Sequence, residues 1–330
     1  MNLLYDVTLR DGNHALRHTL ASKFVAQYCL LAEQSDSWAV EVGHGNGLGA
    51  SSYLVGQSVE SDQSLLIAAK ENLKTKKLAV HVIPGFATVN RDIKPAIEIG
   101  VDVFRIATHV TEASVAQSHI EYLASHDKFV HGVLMMSHMI SLNGLIEQAK
   151  LMKTYGASAI ILMDSAGYFT PEDVSERVRA ALHELEIPIG FHAHNNLGMA
   201  TANAMSALKS GATIIDGASM GLGAGAGNAQ LESIVAVGVR NSTIVADIKK
   251  FAPQSRIVET SFPKVLPRTT MSSIESGLAG VFSGYAPQVK QLADEMGIEI
   301  SDLWHALAQR KLVPGQESMI REIAQDLMNL

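Results

Sequence analysis

The chain has 330 residues, with 26 Lys and Arg against 33 Asp and Glu, a net charge of −7 and a pI near 6.0. That balance, without a basic stripe or polybasic tail, argues against nucleic acid or an anionic membrane surface as the main partner. At 47 % hydrophobic and 18 % charged residues, the chain can bury one large core, or a large domain with an appendage.

Cys29 is the only cysteine, which excludes an intramolecular disulfide and suits the reducing cytoplasm. It lies in an apolar helical pattern with Phe24, Val25, Tyr28 and Leu31, the context of a buried thiol rather than a nucleophile. The opening residues carry no basic n-region, and no apolar run reaches the ~18 residues a membrane span needs. The expectation is a cytoplasmic protein.

In chain order, short β-rich runs alternate with longer amphipathic ones. Strands are expected at Leu3–Leu9, Ser37–Val42, Leu78–Ile83, Val103–Ala107, Phe129–Met135, Ala159–Met163, Ile187–Phe191 and Thr213–Asp216. Helices are expected between them, near Ser22–Gln34, Asp62–Asn72, Asp92–Ile99, Glu112–Ser125, Leu142–Tyr155, Pro171–Leu185, Met199–Lys209 and Asn228–Val239. Thr170 before Pro171 signals a helix start, and Gly100, Gly156 and Gly211 signal helix ends. Eight such units predict an α/β fold, a (β/α)8 TIM barrel over residues 1–250. A doubly wound open sheet is the rival, but Thr8-Leu9-Arg10-Asp11-Gly12 is not a dinucleotide fingerprint. Phe251–Thr270, with Pro253, Pro263 and Pro267, reads as irregular. Helical stretches near Ser272–Phe282, Ala286–Met296, Ser301–Gln309 and Glu317–Met328 then form a C-terminal helical appendage, residues 251–330.

Active sites of such barrels lie at the C-terminal ends of the strands. Arg10, Asp11, Asn13 and His14 gather at the end of strand 1, Glu41 and His44 after strand 2, and Thr108 and His109 after strand 4. Ser137 and His138 follow strand 5, Asp164 and Ser165 strand 6, and His192 and His194 strand 7. Residues i and i+2 of a strand face the same side, so His192 and His194 aim two imidazoles at one point. A carboxylate beside them makes a catalytic rather than structural metal arrangement, and Asp11 is the natural third ligand. Its alternative role is to cap the following helix. Arg10 beside a cation suits an anionic substrate group or a developing enolate; its alternative is an ion pair with Glu41. The loop Gly221–Asn228 lacks the Lys-Ser/Thr ending of a phosphate cradle, and its glycines fit a close pass of backbone by the site.

These residues carry a resemblance. Thr8–Gly12, His192-Ala193-His194-Asn195-Asn196 and Gly221–Asn228 resemble the DRE-TIM metallolyases. Asp6–Ala15, Ala107–Ala113, Leu134–Met139, Gly223–Ala229 and Gly315–Ile320 resemble, within them, the 4-hydroxy-2-oxovalerate aldolases. The resemblance implies that Asp11, His192 and His194 bind a divalent cation, usually Mn2+ with Co2+ or Mg2+ as substitutes, chelated by pyruvate. It implies that Arg10 stabilises the enolate and that His14 takes the C4 hydroxyl proton. Ser165 is placed to touch the pyruvate carboxylate, and Glu41 and Asn228 stand behind these groups. Phe282 stands where those aldolases carry a tyrosine, and Tyr285 lies three residues on. The expected reaction is retro-aldol cleavage of 4-hydroxy-2-oxovalerate, or a close relative, to pyruvate and an aldehyde. The partners implied are a second copy in a homodimer and an acylating acetaldehyde dehydrogenase, contacted through Leu312–Leu330. The rival functions are a Claisen-type synthase condensing acetyl-CoA with a 2-oxo acid, and a catalytically inactive paralogue.

Overall fold

The structure, a computed structural model, describes residues 2–313 and 315–329. Eight parallel strands pair in chain order into a closed barrel. They are β1 Leu3–Asp6, β2 Ala39–Glu41, β3 Lys77–Val82, β4 Val103–His109, β5 Phe129–Met135, β6 Ala159–Asp164, β7 Ile189–Ala193 and β8 Ile214–Gly217. β8 closes on β1, with Leu3 opposite Ile214 and Asp6 opposite Gly217. The expected (β/α)8 barrel is the observed fold.

The helices of the barrel are α1 Gly12–Ala15, α2 Ser22–Ala32, α3 Asp62–Asn72, α4 Lys94–Ile99, α5 Gln117–Ala124, α6 Leu142–Tyr155, α7 Pro171–Leu185, α8 Ala200–Lys209 and α9 Leu231–Arg240. Local chemistry sets their ends. Thr170 accepts the Asp173 N–H while the Asp173 carboxylate accepts the Thr170 N–H, and Pro171 starts α7 where its missing N–H has no intrahelical partner. Gly156 closes α6 in the left-handed conformation (φ 114°).

Two apolar layers meet at the sheet. Outside it, residues such as Val25, Leu65, Phe104, Ile160, Val178 and Ile215 pack strands against helices. Inside it, Val103, Val133, Ile161 and Ile214 share the lumen with Ala39, Ala79, Ala107 and Ala159. The four alanines leave volume for two large fully buried side chains, Tyr5 and Arg105.

One expectation needs correcting. Phe251–Thr270 is irregular only from Phe262 on, because α10, Ala252–Ser261, forms in its first half. Pro253 stands in its first turn, where proline starts a helix instead of breaking one. Phe251 and Val258 are buried in the barrel core, and Gln254 Nε2 donates to Asp6 Oδ2 at 3.1 Å. The helices α11 Met271–Leu278, α12 Ala286–Met296, α13 Ile300–Arg310 and α14 Ser318–Met328 follow. The last three share a second core built on Val289, Leu292, Leu303, Trp304, Leu307 and Ile320. Of the stretch Leu312–Leu330, Pro314 and Leu330 lie outside the described residues. Among the described residues, no helix is long and apolar enough to cross a membrane.

Candidate active site

A chain of buried charges runs through the barrel to the strand ends. Arg10 Nε donates to Glu41 Oε2 (2.9 Å), and Arg105 Nη1 donates to the same oxygen (3.3 Å). Arg105 Nη2 reaches Asp216 Oδ2 (2.5 Å), which also pairs with His192 Nδ1 (2.9 Å). Arg10 Nη1 closes the circuit on Asp11 Oδ2 (2.5 Å), 3.9 Å from His192 Nε2. Period-two geometry explains this convergence: Glu41, Arg105, His192 and Asp216 all take lumen-facing positions on four different strands.

Asp11, His192 and His194 offer ligand atoms that all lie within 4.8 Å of one another, and all three are buried. The Asp11 side chain makes no cap hydrogen bond to α1. Instead Oδ1 accepts from Asn228 Nδ2 (2.9 Å) and from the Ala224 N–H (3.2 Å). The glycine-rich loop therefore holds the Asp11 carboxylate. A Cβ on Gly223 would stand 2.2 Å from Asn228 Nδ2 and 2.8 Å from Asp11 Oδ1, so only glycine lets the backbone pass there.

The donor set suits a divalent cation. His192 Nε2, His194 Nδ1 and Asn228 Oδ1 are buried without a hydrogen-bond partner, a costly state for polar atoms that serve no ligand. Burial would raise the Asp11 pKa, but Arg10 and the two histidines outweigh it and hold the carboxyl well below its usual range. Burial pushes His194 down to about 4. At neutral pH the site thus offers an ionised carboxylate and an imidazole with its lone pair free, the states a metal requires. Asp216 on His192 Nδ1 directs the other nitrogen toward the site.

Arg10 Nη2 is likewise buried and unpartnered, a spare N–H donor beside the ligand cluster. Arg10 thus pairs with Glu41 and keeps one N–H unpaired. His14 is half-buried next to Asp11, and burial pushes its pKa down to about 4. Ser165 Oγ accepts the Met136 N–H (3.0 Å), leaving its own O–H to donate. Phe282 packs in the C-terminal core with Met136, Val281 and Tyr285, and the next residue, Ser283, donates its N–H to Ser165 O (3.1 Å). The Tyr285 hydroxyl is spent on the Val313 carbonyl. His109 and His138 stay out of the cluster. His109 bonds Thr111, and His138 Nε2 bonds Gly280 O, tying the barrel rim to the helical domain.

Sequence reasoning missed Arg105 and Asp216. The available signal was an arginine inside a strand otherwise apolar in its first half, where burial on both faces leaves no solvent for the charge.

The fold and site define a (β/α)8 barrel with a candidate divalent-metal centre, and the comparisons agree. Residues 3–258 match the HMGL-like family and residues 267–329 the DmpG-like communication domain. The chain belongs to the HMGL-like family, on the branch of the 4-hydroxy-2-oxovalerate aldolases. The aldolase of that name from Spirochaeta aurantia is 49 % identical over 98 % of this chain and 96 % of its own. That from Pectobacterium atrosepticum is 48 % identical over 98 % and 95 %, and that from Burkholderia pseudomallei 47 % over 99 % and 94 %. The carboxyl transferase domain of Rhizobium etli pyruvate carboxylase with 3-hydroxypyruvate superposes with a TM-score of 0.84 at 18 % identity, over 99 % of this chain and 60 % of that one. At that identity the likeness concerns the fold.

Arg105 neutralises two buried carboxylates. Replacing it by an apolar side chain, Arg105→Met, should destabilise the protein by about 3–5 kcal/mol, the cost of stranding a buried charge. Urea unfolding measures it, and a loss below ~1 kcal/mol would show that the pairing contributes little.

Proposed function

We propose that this chain is a divalent-metal-dependent lyase that cleaves 4-hydroxy-2-oxovalerate, or a close 4-hydroxy-2-oxo acid, to pyruvate and an aldehyde. The observation that carries the reading is the convergence of Asp11, His192 and His194 beside the spare N–H of Arg10 and the half-buried His14. A cation held by those three residues, which we take to be manganese with cobalt or magnesium as substitutes, supplies Lewis acidity to the 2-oxo acid.

The chain's own groups do the rest. Arg10, oriented by Glu41, directs Nη2 at the pyruvyl oxygen where negative charge develops. Ser165 offers its hydroxyl proton to the substrate carboxylate. His14, kept neutral by burial, takes the C4 hydroxyl proton as a general base. The oxygen's freed electron pair forms the aldehyde carbonyl, and the C3–C4 bond breaks with its pair passing into the pyruvyl fragment. C3 then takes up a proton from water while His14 returns its own to solvent, giving pyruvate. Asn228 steadies Asp11, and the apolar Phe282 faces the aldehyde half. The lone buried Cys29 and the charge balance support a cytoplasmic setting.

Asp11→Asn or His192→Ala should abolish turnover while the chain still folds, with a lowered melting temperature because each change breaks a buried pair. Turnover is read as pyruvate and aldehyde released from the 4-hydroxy-2-oxo acid without acetyl-CoA. Full activity of metal-stripped protein in chelator, or product only with acetyl-CoA, would refute the assignment.

The structure bears on Phe282 as well. With the Tyr285 hydroxyl bound to Val313, Tyr285→Phe should change the cleavage rate less than threefold or so, since the lost hydrogen bond is structural. Phe282→Tyr should alter the preference among aldehydes of different length. A hundredfold loss in well-folded Tyr285→Phe would place that hydroxyl in the chemistry.

The residues that match the DmpG-like communication domain support an acylating acetaldehyde dehydrogenase as partner, with the lyase as a homodimer carrying two dehydrogenase subunits. Native mass spectrometry of the co-expressed pair should show that four-chain species; a strict monomer without bound dehydrogenase would contradict it.

A further inference from the structure

Behind His14 stands a row of side chains that the chemistry above does not use. His18 meets the His14 ring edge-on, with centroids 5.2 Å apart at 70°. His44 stacks on the far face of this row, 3.6 Å from His18 at 13°. His44 Nδ1 accepts the Asn46 N–H (3.0 Å), so its proton sits on Nε2, which donates to Gly56 O (3.0 Å). His18 Nδ1 accepts the Gly45 N–H (3.3 Å). These bonds fold the loop after β2 back on itself and fasten it to the segment after β1.

Gly45 is the point where that loop meets the base. A Cβ there would lie 2.6 Å from His14 Cγ and Cδ2 and 2.7 Å from Cε1. The Gly45 backbone therefore lies flat on the imidazole, and the requirement for glycine comes from the ring rather than from φ. The other side of the clamp carries backbone strain. Arg17 and His18 both adopt left-handed φ, 51° and 61°, which non-glycine residues keep only where their surroundings impose it. Asn13 holds this turn, donating through Nδ2 to Gly43 O (3.0 Å) and accepting the Leu20 N–H (3.3 Å).

Filling a core would need none of this. An aliphatic side chain at 18 fills space without a left-handed backbone and without an acceptor for the Gly45 N–H. We propose that Gly45, His18 and His44 are positioning residues for His14: the loop after β2 is pinned by the stacked pair so that Gly45 presses the imidazole into the one orientation that serves the reaction. This rests on His14 as the general base.

The test is a double-mutant cycle on the metal-loaded enzyme. His14→Ala should lower kcat by about 10³-fold, within the range for a general base. Gly45→Ala should lower kcat by about 10²-fold with KM and manganese affinity unchanged, since an ångström of misplacement costs that much. In the His14→Ala background, Gly45→Ala should cost less than about threefold, because the side chain it acts through is gone. Effects that multiply, or parent-like kcat in Gly45→Ala, would overturn the proposal. Parent-like kcat in His14→Ala would overturn the base assignment, and the proposal with it.

A second pair covers the case in which Gly45→Ala does not fold. His18→Asn tolerates the left-handed backbone and keeps an acceptor, whereas His18→Leu does neither. The Asn variant should keep most of kcat and the Leu variant lose at least about tenfold, with KM unchanged in both and the loss absent in the His14→Ala background. Equal kcat in the two would again overturn it.

Discussion

Everything at the rim depends on five charges buried in the barrel lumen: Asp11, Arg10, Glu41, Arg105 and Asp216. Three carboxylates and two guanidiniums leave one net negative charge. Buried ion pairs are poor sources of stability, because desolvation offsets most of their attraction. This network has a different use. It links His192, through Asp216 and Arg105, to Arg10, through Glu41, so that a candidate metal ligand and the spare guanidinium N–H are aligned by one set of hydrogen bonds. Residual negative charge at the Asp11 end favours a cation, and the unpaired Arg10 N–H beside it favours an anion. The two preferences describe a chelating oxo acid.

The lumen is built to accommodate that network. Alanines at 39, 79, 107 and 159 replace the large aliphatic layer that usually fills such barrels. Tyr5, whose ring lies 5.1 Å from the Arg105 guanidinium carbon, and His131, within 3.3 Å of the Tyr5 hydroxyl, close the lower end. Burial pushes His131 down to about 3, so no third cation competes with Arg105 for the carboxylates.

The helical domain is held to this frame by polar bonds as much as by its own core. Ser283 bonds Ser165 and Asn196, Asn196 bonds Ser276, and His138 bonds Gly280. These are the loops after β5, β6 and β7, and the last two carry Ser165 and His194. Covering them removes water from the strand ends, which strengthens every electrostatic interaction there. Ser165 thus serves two masters, with its carbonyl tied to the helices and its hydroxyl oxygen to Met136.

Much of this was legible in the sequence, because period and local capping are properties of short stretches. Alternation of β-rich and amphipathic runs determined the barrel, and His192 and His194, two apart in extended chain at a strand end, determined a shared face whatever the fold. Asp11 as the candidate third ligand was readable from its position at the end of strand 1. The helix at Ala252–Ser261 was not, because proline at a helix start and proline as a breaker look alike until packing against the barrel decides. Nor were Arg105, Asp216, Gly45 and His18. Apart from His18 and its neighbour His14, each is separated from its partners by tens of residues or more, and strand order, stagger and closure alone bring such positions into contact. Which residues carry the site was therefore written locally, whereas how they are aimed was decided by the lumen and the loop packing, since orientation is set by neighbours that only tertiary structure supplies.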